Sequence, residues 1–374
     1  MINSRTKLLK IFNIGLRVSK INLARKSFML NFALGIILAK NVHASDVVSH
    51  FDPEVELDSH IRRAERFFNE YDLDYTQIAI LLMCFLPPGR LHIAIDRTNW
   101  KFGEQNINFL TITAYCRGVG IPLFFELLDK KGNSNTKERK ALFRKLICIL
   151  SPKQIVSFTA DREFVGKEWY NFLVTNKIPF YIRIKKDTRI ELKGVNFHAA
   201  DFATSTRQKH FENIRIHGFR LKLATKIIGY EQDAEDRYLL VLTNADVKNA
   251  INIYRSRWSI EVFFQSIKKR GFNLENTHLT ELPRLKKLFA IVSMAFAACL
   301  SVGLWKHETK KPLKKKANGY KPYSYFRYGL DEMRKALLHP HKMKKLTQQI
   351  FDFLLNQLQE NYQLWENWRF ILKL

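Results

Sequence analysis

Cysteine is scarce in this chain. Four occur in 374 residues (Cys84, Cys116, Cys148 and Cys299), with no C-x-x-C pair and no histidines at finger spacing. Structural zinc and a disulfide framework are thereby excluded, a reducing compartment is expected, and each thiol reads as a small buried hydrophobe. Acid is in short supply too: 35 Asp+Glu stand against 62 Lys+Arg, a net charge of +27, and residues 1–45 contain no acid at all. A field of that sign and size favours a polyanionic partner, nucleic acid ahead of an anionic membrane. That basic start resembles a mitochondrial presequence, but Phe28–Ala39 continues as an apolar helix rather than a cleavable tail. Long apolar runs are missing, with one exception. Residues 288–305 carry no charge over 18 positions, the lower limit for crossing a bilayer. The four Ala, two Ser and one Gly in that run suit close packing inside a protein, so it is read as a buried helix and no membrane is expected. Internal repeats are absent.

What is present is a core. Hydrophobic residues make up 46% of the chain, with 29 Phe, which excludes wholesale disorder, and the length allows two or three domains. Residues 1–86 read as an all-helical N-terminal region, with helices at Phe28–Ala39, Ala44–Phe51, Leu57–Tyr71 and Tyr75–Leu86. The first two are joined at Lys40–His43, compatible with a helix-turn-helix or with a plain bundle, and the acid-free start could contact DNA phosphates. Pro87-Pro-Gly89 marks a boundary. From residue 90 the pattern becomes α/β. Leu91–Ile95 is a short apolar strand ending on Asp96, followed by strands at Ile107–Cys116 and Ile121–Leu128 and a helix at Lys137–Leu150. Gln154–Ala160 is a further strand ending on an acid, Asp161, before a helix at Lys167–Thr175 and a strand at Phe180–Ile184. Residues 186–245 break the alternation with short strands at Ile190–Leu192, Phe211–Ile216, Leu221–Tyr230 and Arg237–Leu242, a β-rich insertion. Val247 begins a long helix, and Arg284–Trp305 is the buried one. Residues 306–374 form a basic linker, with seven lysines in Lys306–Lys321, and then helices at about 323–338 and 343–358, for DNA contact or dimerisation.

Tyr254–Arg270 is free of Pro and Gly and repeats Ile260, Phe263, Phe264 and Ile267 at helical spacing. At roughly 100° per residue, Tyr254, Arg257, Glu261 and Lys268 share one strip about 60° wide, beside the apolar face. A solvated polar face is the plainer reading of that strip. A carboxylate flanked by a phenol, a guanidinium and an ammonium also suits holding a metal against a phosphodiester. Asp96 and Asp161 close two strands that one sheet could set side by side, and a helix on that sheet could add Glu261. Each Asp taken singly reads as a cap or turn residue. Together the three are hard oxygen donors, which select Mg²⁺ or Mn²⁺, and two such ions about 3.5–4 Å apart suit in-line displacement at phosphorus.

Asp96-Arg-Thr-Asn-Trp100, Asp161-Arg-Glu-Phe164 and Tyr254-x2-Arg257-x3-Glu261-x6-Lys268 resemble, in order, the three catalytic blocks of DDE transposases from bacterial insertion sequences. The resemblance is to the branch with a Y-R-E-K signature and a β insertion before the glutamate; Lys131–Ser134 and Ser324–Leu330 also look like the family. It implies a ribonuclease-H-like mixed-sheet core formed by 90–185 and 246–305, interrupted by the β-rich 186–245. It implies Asp96, Asp161 and Glu261 as catalytic, metal-binding residues using Mg²⁺, with Mn²⁺ as a substitute. Tyr254, Arg257 and Lys268 would then contact double-stranded DNA near the cleaved phosphate. Neighbouring Trp258, Lys269 and Arg270 are further DNA-contact candidates; Trp258 could equally pack in the core. Hydrolysis at the terminal inverted repeats would free a 3′-OH for joining to target DNA, by a homodimer on DNA in a bacterial cytoplasm. Relatives often form a DNA hairpin with an everted base stacked on an aromatic of the insertion. Here 186–245 holds no Trp, leaving Phe219, Tyr230 or Tyr238 as substitutes. Lys185-Lys186, Arg284-x-Lys286-Lys287 and Lys314–Lys316 are candidate extensions of the DNA surface. An inactive DNA-binding protein, a nuclease on the same fold and a membrane-anchored basic protein remain the competing readings.

Overall fold

The computed structural model describes residues 21–371 except 230–234, 318 and 320. Residues 1–20, the first part of the presequence-like 1–45, and Tyr230 lie outside the described set. Four helices open the chain: α1 (Leu23–Ala39), α2 (Ala44–Val48), α3 (Leu57–Glu70) and α4 (Tyr75–Met83). Asn22 and Asp74 cap α1 and α4 through side-chain oxygens, satisfying N–H groups that a first turn leaves unpaired. Lys40 ends α1 in the left-handed region, and its N–H returns to the Ile36 carbonyl.

Strands β1 (Leu91–Phe102), β2 (Gln105–Cys116) and β3 (Val119–Leu127) form an antiparallel meander; helix α5 (Thr136–Ile149) leads to β4 (Ile155–Ala160), and α6 (Lys167–Thr175) to β5 (Phe180–Arg183). β4 and β5 run parallel to β1 in the order β3-β2-β1-β4-β5, and two helices cover the crossovers. This is the ribonuclease-H-like mixed sheet that the catalytic blocks imply.

The insertion contributes β6 (Arg189–Leu192), β7 (Val195–His198), β8 (Lys209–Ile216), β9 (Phe219–Ile227) and β10 (Tyr238–Thr243). These strands continue the core sheet: β10 pairs antiparallel with β5, giving ten strands ordered β3-β2-β1-β4-β5-β10-β9-β8-β6-β7. β7 escapes the sequence reading because it is only four residues long, too short for the alternation of Val195-Asn-Phe-His198 to stand out, and all four are exposed.

Two departures from the sequence reading matter for the site. First, β1 does not end at Asp96 but runs on to Phe102, because β2 pairs with it from Ile93 through Phe102. Its parallel partner β4 stops at Ala160, opposite Ile95. Asp96 therefore sits at a step in the sheet, and Asp161 is the first residue beyond the shorter strand. Second, 247–270 is not one uniform α-helix. It comprises α7 (Ala250–Tyr254), a 3₁₀ turn (Arg255–Arg257), α8 (Trp258–Gln265) and a π turn (Ser266–Arg270). The tight turn and the loose turn change the angle per residue, so the single strip drawn at 100° does not hold to its end.

Helix α9 (Leu282–Thr309) is long and apolar enough to cross a membrane, and 83% of its apolar window is buried inside the protein. Phe289 stacks on Phe109 of the sheet (4.2 Å between centroids), while Phe263 of α8 meets Phe289 and Phe296 at 5.9 and 4.9 Å. Each such pair adds about 0.5–1.5 kcal/mol beyond its buried area. This aromatic wedge fixes α8, and with it Glu261, against the sheet. Gly120 on β3 lets the two backbones close up, since a Cβ there would stand 3.2 Å from the Ser259 carbonyl and 2.7 Å from Thr113 Oγ1.

Helices α10 (Tyr325–Leu338) and α11 (Lys344–Ile371) close the chain. Gly329 of α10 sits against α9, where an added Cβ would overlap the Cys299 carbonyl. Because the obstacle is backbone, Gly329→Ala is expected to destabilise the protein by about 1–3 kcal/mol, measured by thermal or denaturant unfolding. An unchanged midpoint would show that the helices can separate at no cost.

Candidate active site

Parallel pairing of Ile95 with Ala160 sets Asp96 and Asp161 one residue past a rung where strands lie about 4.8 Å apart. Both carboxylates are anchored alike by the next residue: Arg97 N donates to Asp96 Oδ1 at 2.7 Å and Arg162 N to Asp161 Oδ1 at 2.8 Å. Glu261 arrives from α8. Arg257, from the 3₁₀ turn, lies between two of the acids, donating from Nη1 to Asp96 Oδ2 at 2.9 Å and from Nη2 to Glu261 Oε1 at 2.5 Å. Tyr254 is buried, with its hydroxyl 3.4 Å from Asp161 Oδ1. Arg257 thus bridges Asp96 and Glu261, while Tyr254, three residues earlier, reaches Asp161.

Charge at the site is unbalanced, one arginine against three carboxylates. Burial pushes the Asp96 carboxyl up to about 7, with Arg257 and the Arg97 N–H opposing and Asp161 and Glu163 adding to the rise. Burial works against the Arg257 charge, but Tyr254 and the surrounding carboxylates outweigh it, and the guanidinium is held more firmly protonated than usual. The Asp96 shift is chiefly one of desolvation, and the Arg257 shift one of neighbouring negative charge.

The donor set of carboxylate oxygens fits a hard divalent cation. As the side chains stand, no three His, Cys, Asp or Glu among the described residues gather closely enough to hold one. The Arg257 fork engages Asp96 and Glu261 at its two ends.

A cation binding Asp96 must displace its proton, so affinity is expected to rise with pH, about tenfold per unit below 7, and to level off above it. Calorimetric titration of Mn²⁺ between pH 5.5 and 8.5 checks this. In the metal-free protein the same raised value has the opposite sign: its contribution to stability is fully present below the ordinary Asp range and is lost as pH rises through about 7.

The other sequence candidates divide. Lys268, in the π turn, pairs with Glu275 at 2.6 Å, donates to the Asn99 carbonyl at 3.1 Å and lies over the Trp100 ring. Trp258 is 57% exposed, so it is not a core residue, and Lys269 and Arg270, which follow Lys268, are exposed too. A cleft lined by Thr98, Glu261, Gln265, Lys268, Lys269 and Arg270 opens at Glu261, and a second cleft with Lys40, Tyr323 and Arg327 shares Lys269 and Arg270 with it. Phe219 and Tyr238 are half-buried against the core. Two proposed surface lysines have structural partners instead: Lys286 pairs with Glu126, and buried Lys287 donates to the Phe68 carbonyl. Adjacent charges at 284–287 look alike in sequence, but a helix turns some of them inward. Arg97 and Glu163, beside the two aspartates, were not singled out; the Asp-Arg pairs that open both blocks were the available signal.

The family model "Transposase DDE domain" matches residues 87–298, more than half the chain. The chain belongs to the DDE transposases. It is therefore an enzyme acting on DNA, of a kind that uses divalent metal ions. Among solved structures the transposase is similar to a piggyBac transposase synaptic complex with hairpin DNA, at a TM-score of 0.46 and 13% identity over 94% of this chain and 82% of that one. No match was found among curated proteins.

Proposed function

We propose that the chain is the transposase of a bacterial insertion sequence, in the branch with the Y-R-E-K signature. It binds the element's terminal inverted repeats, hydrolyses DNA at each terminus to free a 3′-OH, and joins that end to target DNA. The observation that carries this reading is that the signature segment meets all three acids, Arg257 joining Asp96 to Glu261 and Tyr254 reaching Asp161.

Asp96, Asp161 and Glu261 would hold Mg²⁺, with Mn²⁺ as a substitute; when bound, the ions activate the attacking oxygen and stabilise the leaving one. The protein's own groups position the strand. Arg257 has a buried Nε with no hydrogen-bond partner among the described residues, a donor suited to a phosphate oxygen. Tyr254 adds a hydroxyl at Asp161, and Lys268 a charge at the mouth of the site. Exposed Lys269, Arg270 and Trp258 extend the contact, the arginine and lysine by charge and the indole by stacking. Residues 1–86 bind element ends, 186–245 is the β insertion, and 306–374 contacts DNA or a second subunit of a homodimer formed on DNA, in the bacterial cytoplasm.

The decisive assay incubates purified protein with DNA carrying the element's own flanking repeats, with and without Mg²⁺. End-specific nicks followed by joined products are expected. Cutting without joining would make the protein a nuclease, and binding without cutting an inactive DNA-binding protein. Affinity for end DNA should fall steeply with salt, by roughly 10³-fold or more between 50 and 200 mM if six or more phosphates are engaged. A flat salt response would remove the phosphate contacts from the reading.

A further inference from the structure

We propose that Arg97 and Glu163 form a positioning clamp that sets the spacing of Asp96 and Asp161. The inference rests on the reading of Asp96, Asp161 and Glu261 as the metal-binding carboxylates.

The ladder itself leaves a gap here. β4 pairs with β1 only as far as Ala160 opposite Ile95, so no strand–strand hydrogen bond ties Asp161 to the Asp96 end of β1. Arg97 follows Asp96 on the longer strand, and Glu163 lies two residues after Asp161 in the turn leading to α6. Arg97 Nε donates to both Glu163 oxygens at 2.8 and 3.0 Å, and Nη2 donates to Oε2 at 2.7 Å. That fork crosses the gap.

The remaining donors of Arg97 fasten a third segment. Nη1 reaches Asn108 Oδ1 at 3.1 Å and the Gly132 carbonyl at 2.7 Å, and Nη2 reaches Asn133 Oδ1 at 2.8 Å. Asn108, on β2, returns its amide to the carbonyls of Lys130 and Gly132. Ser134 Oγ donates to Glu163 Oε1 at 3.4 Å while accepting from Arg139 Nε at 2.9 Å. The Lys131–Ser134 loop is thereby bound to both aspartate-bearing segments.

All five N–H groups of a guanidinium are accounted for in this set. An arginine so committed, with its side chain 14% exposed and Glu163 at 16%, has no donor left for a DNA phosphate. Successive residues of a strand face opposite sides of the sheet, so Arg97 is directed away from the face on which Asp96 meets Arg257. It positions without touching substrate. A buried ion pair contributes little net stability compared with an apolar pair of the same shape, so the geometry it imposes is the better account of its presence. Metal-binding carboxylates need placement to within about 0.5 Å, and the partners that orient them change metal affinity or activity by about 10–100-fold.

The test uses full-length protein with Arg97→Lys, which keeps the charge and loses the fork, and Glu163→Gln, which keeps the shape and loses the charge. Four quantities are compared with wild type: Mn²⁺ affinity by calorimetry without DNA, melting in chelator, end-DNA affinity without metal, and single-turnover cleavage. Mn²⁺ affinity and cleavage, measured well below the melting temperature of each variant, are each expected to fall about 10–100-fold with DNA affinity near wild type, whereas melting falls because a buried pair is weakened. Wild-type Mn²⁺ affinity and cleavage in both variants overturns the clamp. So do losses that appear only near the melting temperature or merely follow DNA affinity. Asp161→Asn is run in parallel. If it too keeps Mn²⁺ affinity and cleavage, the carboxylate reading has failed, and if it loses both while Arg97→Lys does not, the clamp alone has failed.

Discussion

Glu261→Gln and Asp161→Asn proteins are expected to bind end-bearing DNA with near-wild-type affinity and to cut it at least about 10³-fold more slowly, since the ions these carboxylates would hold supply several kcal/mol of transition-state stabilisation. Affinity is spared because phosphate contacts come from cations, and removing a carboxylate charge cannot weaken them. The fold should also survive. Glu261 is 27% exposed at the cleft mouth, and an isosteric amide can still accept from the Arg257 fork. Gel-shift and cleavage assays on one DNA separate the two effects. Cleavage by Glu261→Gln at the wild-type rate would remove the glutamate from the chemistry.

Arg257→Ala has two consequences of different sign. Without metal, the substitution leaves Asp96 and Glu261 unpaired beside Asp161. Arg257 is only 11% exposed and Asp96 18%, so this costs about 3 kcal/mol, the scale for stripping one partner from a buried pair. Saturating Mg²⁺ should return much of the loss if these carboxylates hold the metal as proposed, because the cation would then serve the oxygens the guanidinium serves, and an ion bound only to the folded state stabilises it by mass action. The variant should therefore melt below wild type in chelator and show the larger Mg²⁺-induced rise. End-DNA affinity should also drop, since the phosphate contact proposed for Arg257 would be lost. Equal melting of the two proteins in chelator would mean that the Asp96–Arg257–Glu261 bridge does not form in solution.

Most helices and strands of the core were legible because their apolar spacing is regular and turn signals such as Pro87-Pro-Gly89 separate them. β7, four exposed residues long, is too short for its alternation to be distinctive. The β1 boundary was misplaced for a related reason. Beyond Asp96 the strand is polar, Arg97-Thr-Asn, and only pairing with β2 keeps it extended. Lys287 was misassigned because burial of a lysine depends on a carbonyl more than two hundred residues away, at Phe68.

By itself the sequence determined the chemistry on offer: three carboxylates, a Y-x2-R-x3-E-x6-K spacing and a strong positive field, since residue types and local periodicity are written in order along the chain. Tertiary structure alone decided what those groups do to one another. It took the step between β1 and β4 to bring Asp96 beside Asp161, and a 3₁₀ turn to put Arg257 between Asp96 and Glu261. A π turn handed Lys268 to Glu275, and the folded sheet let Arg97 find Glu163. Of these, Arg97–Glu163 and Arg257–Asp96 join residues 66 and 161 positions apart. They depend on where strands stop and helices change pitch, which pairing and packing decide and no local pattern encodes.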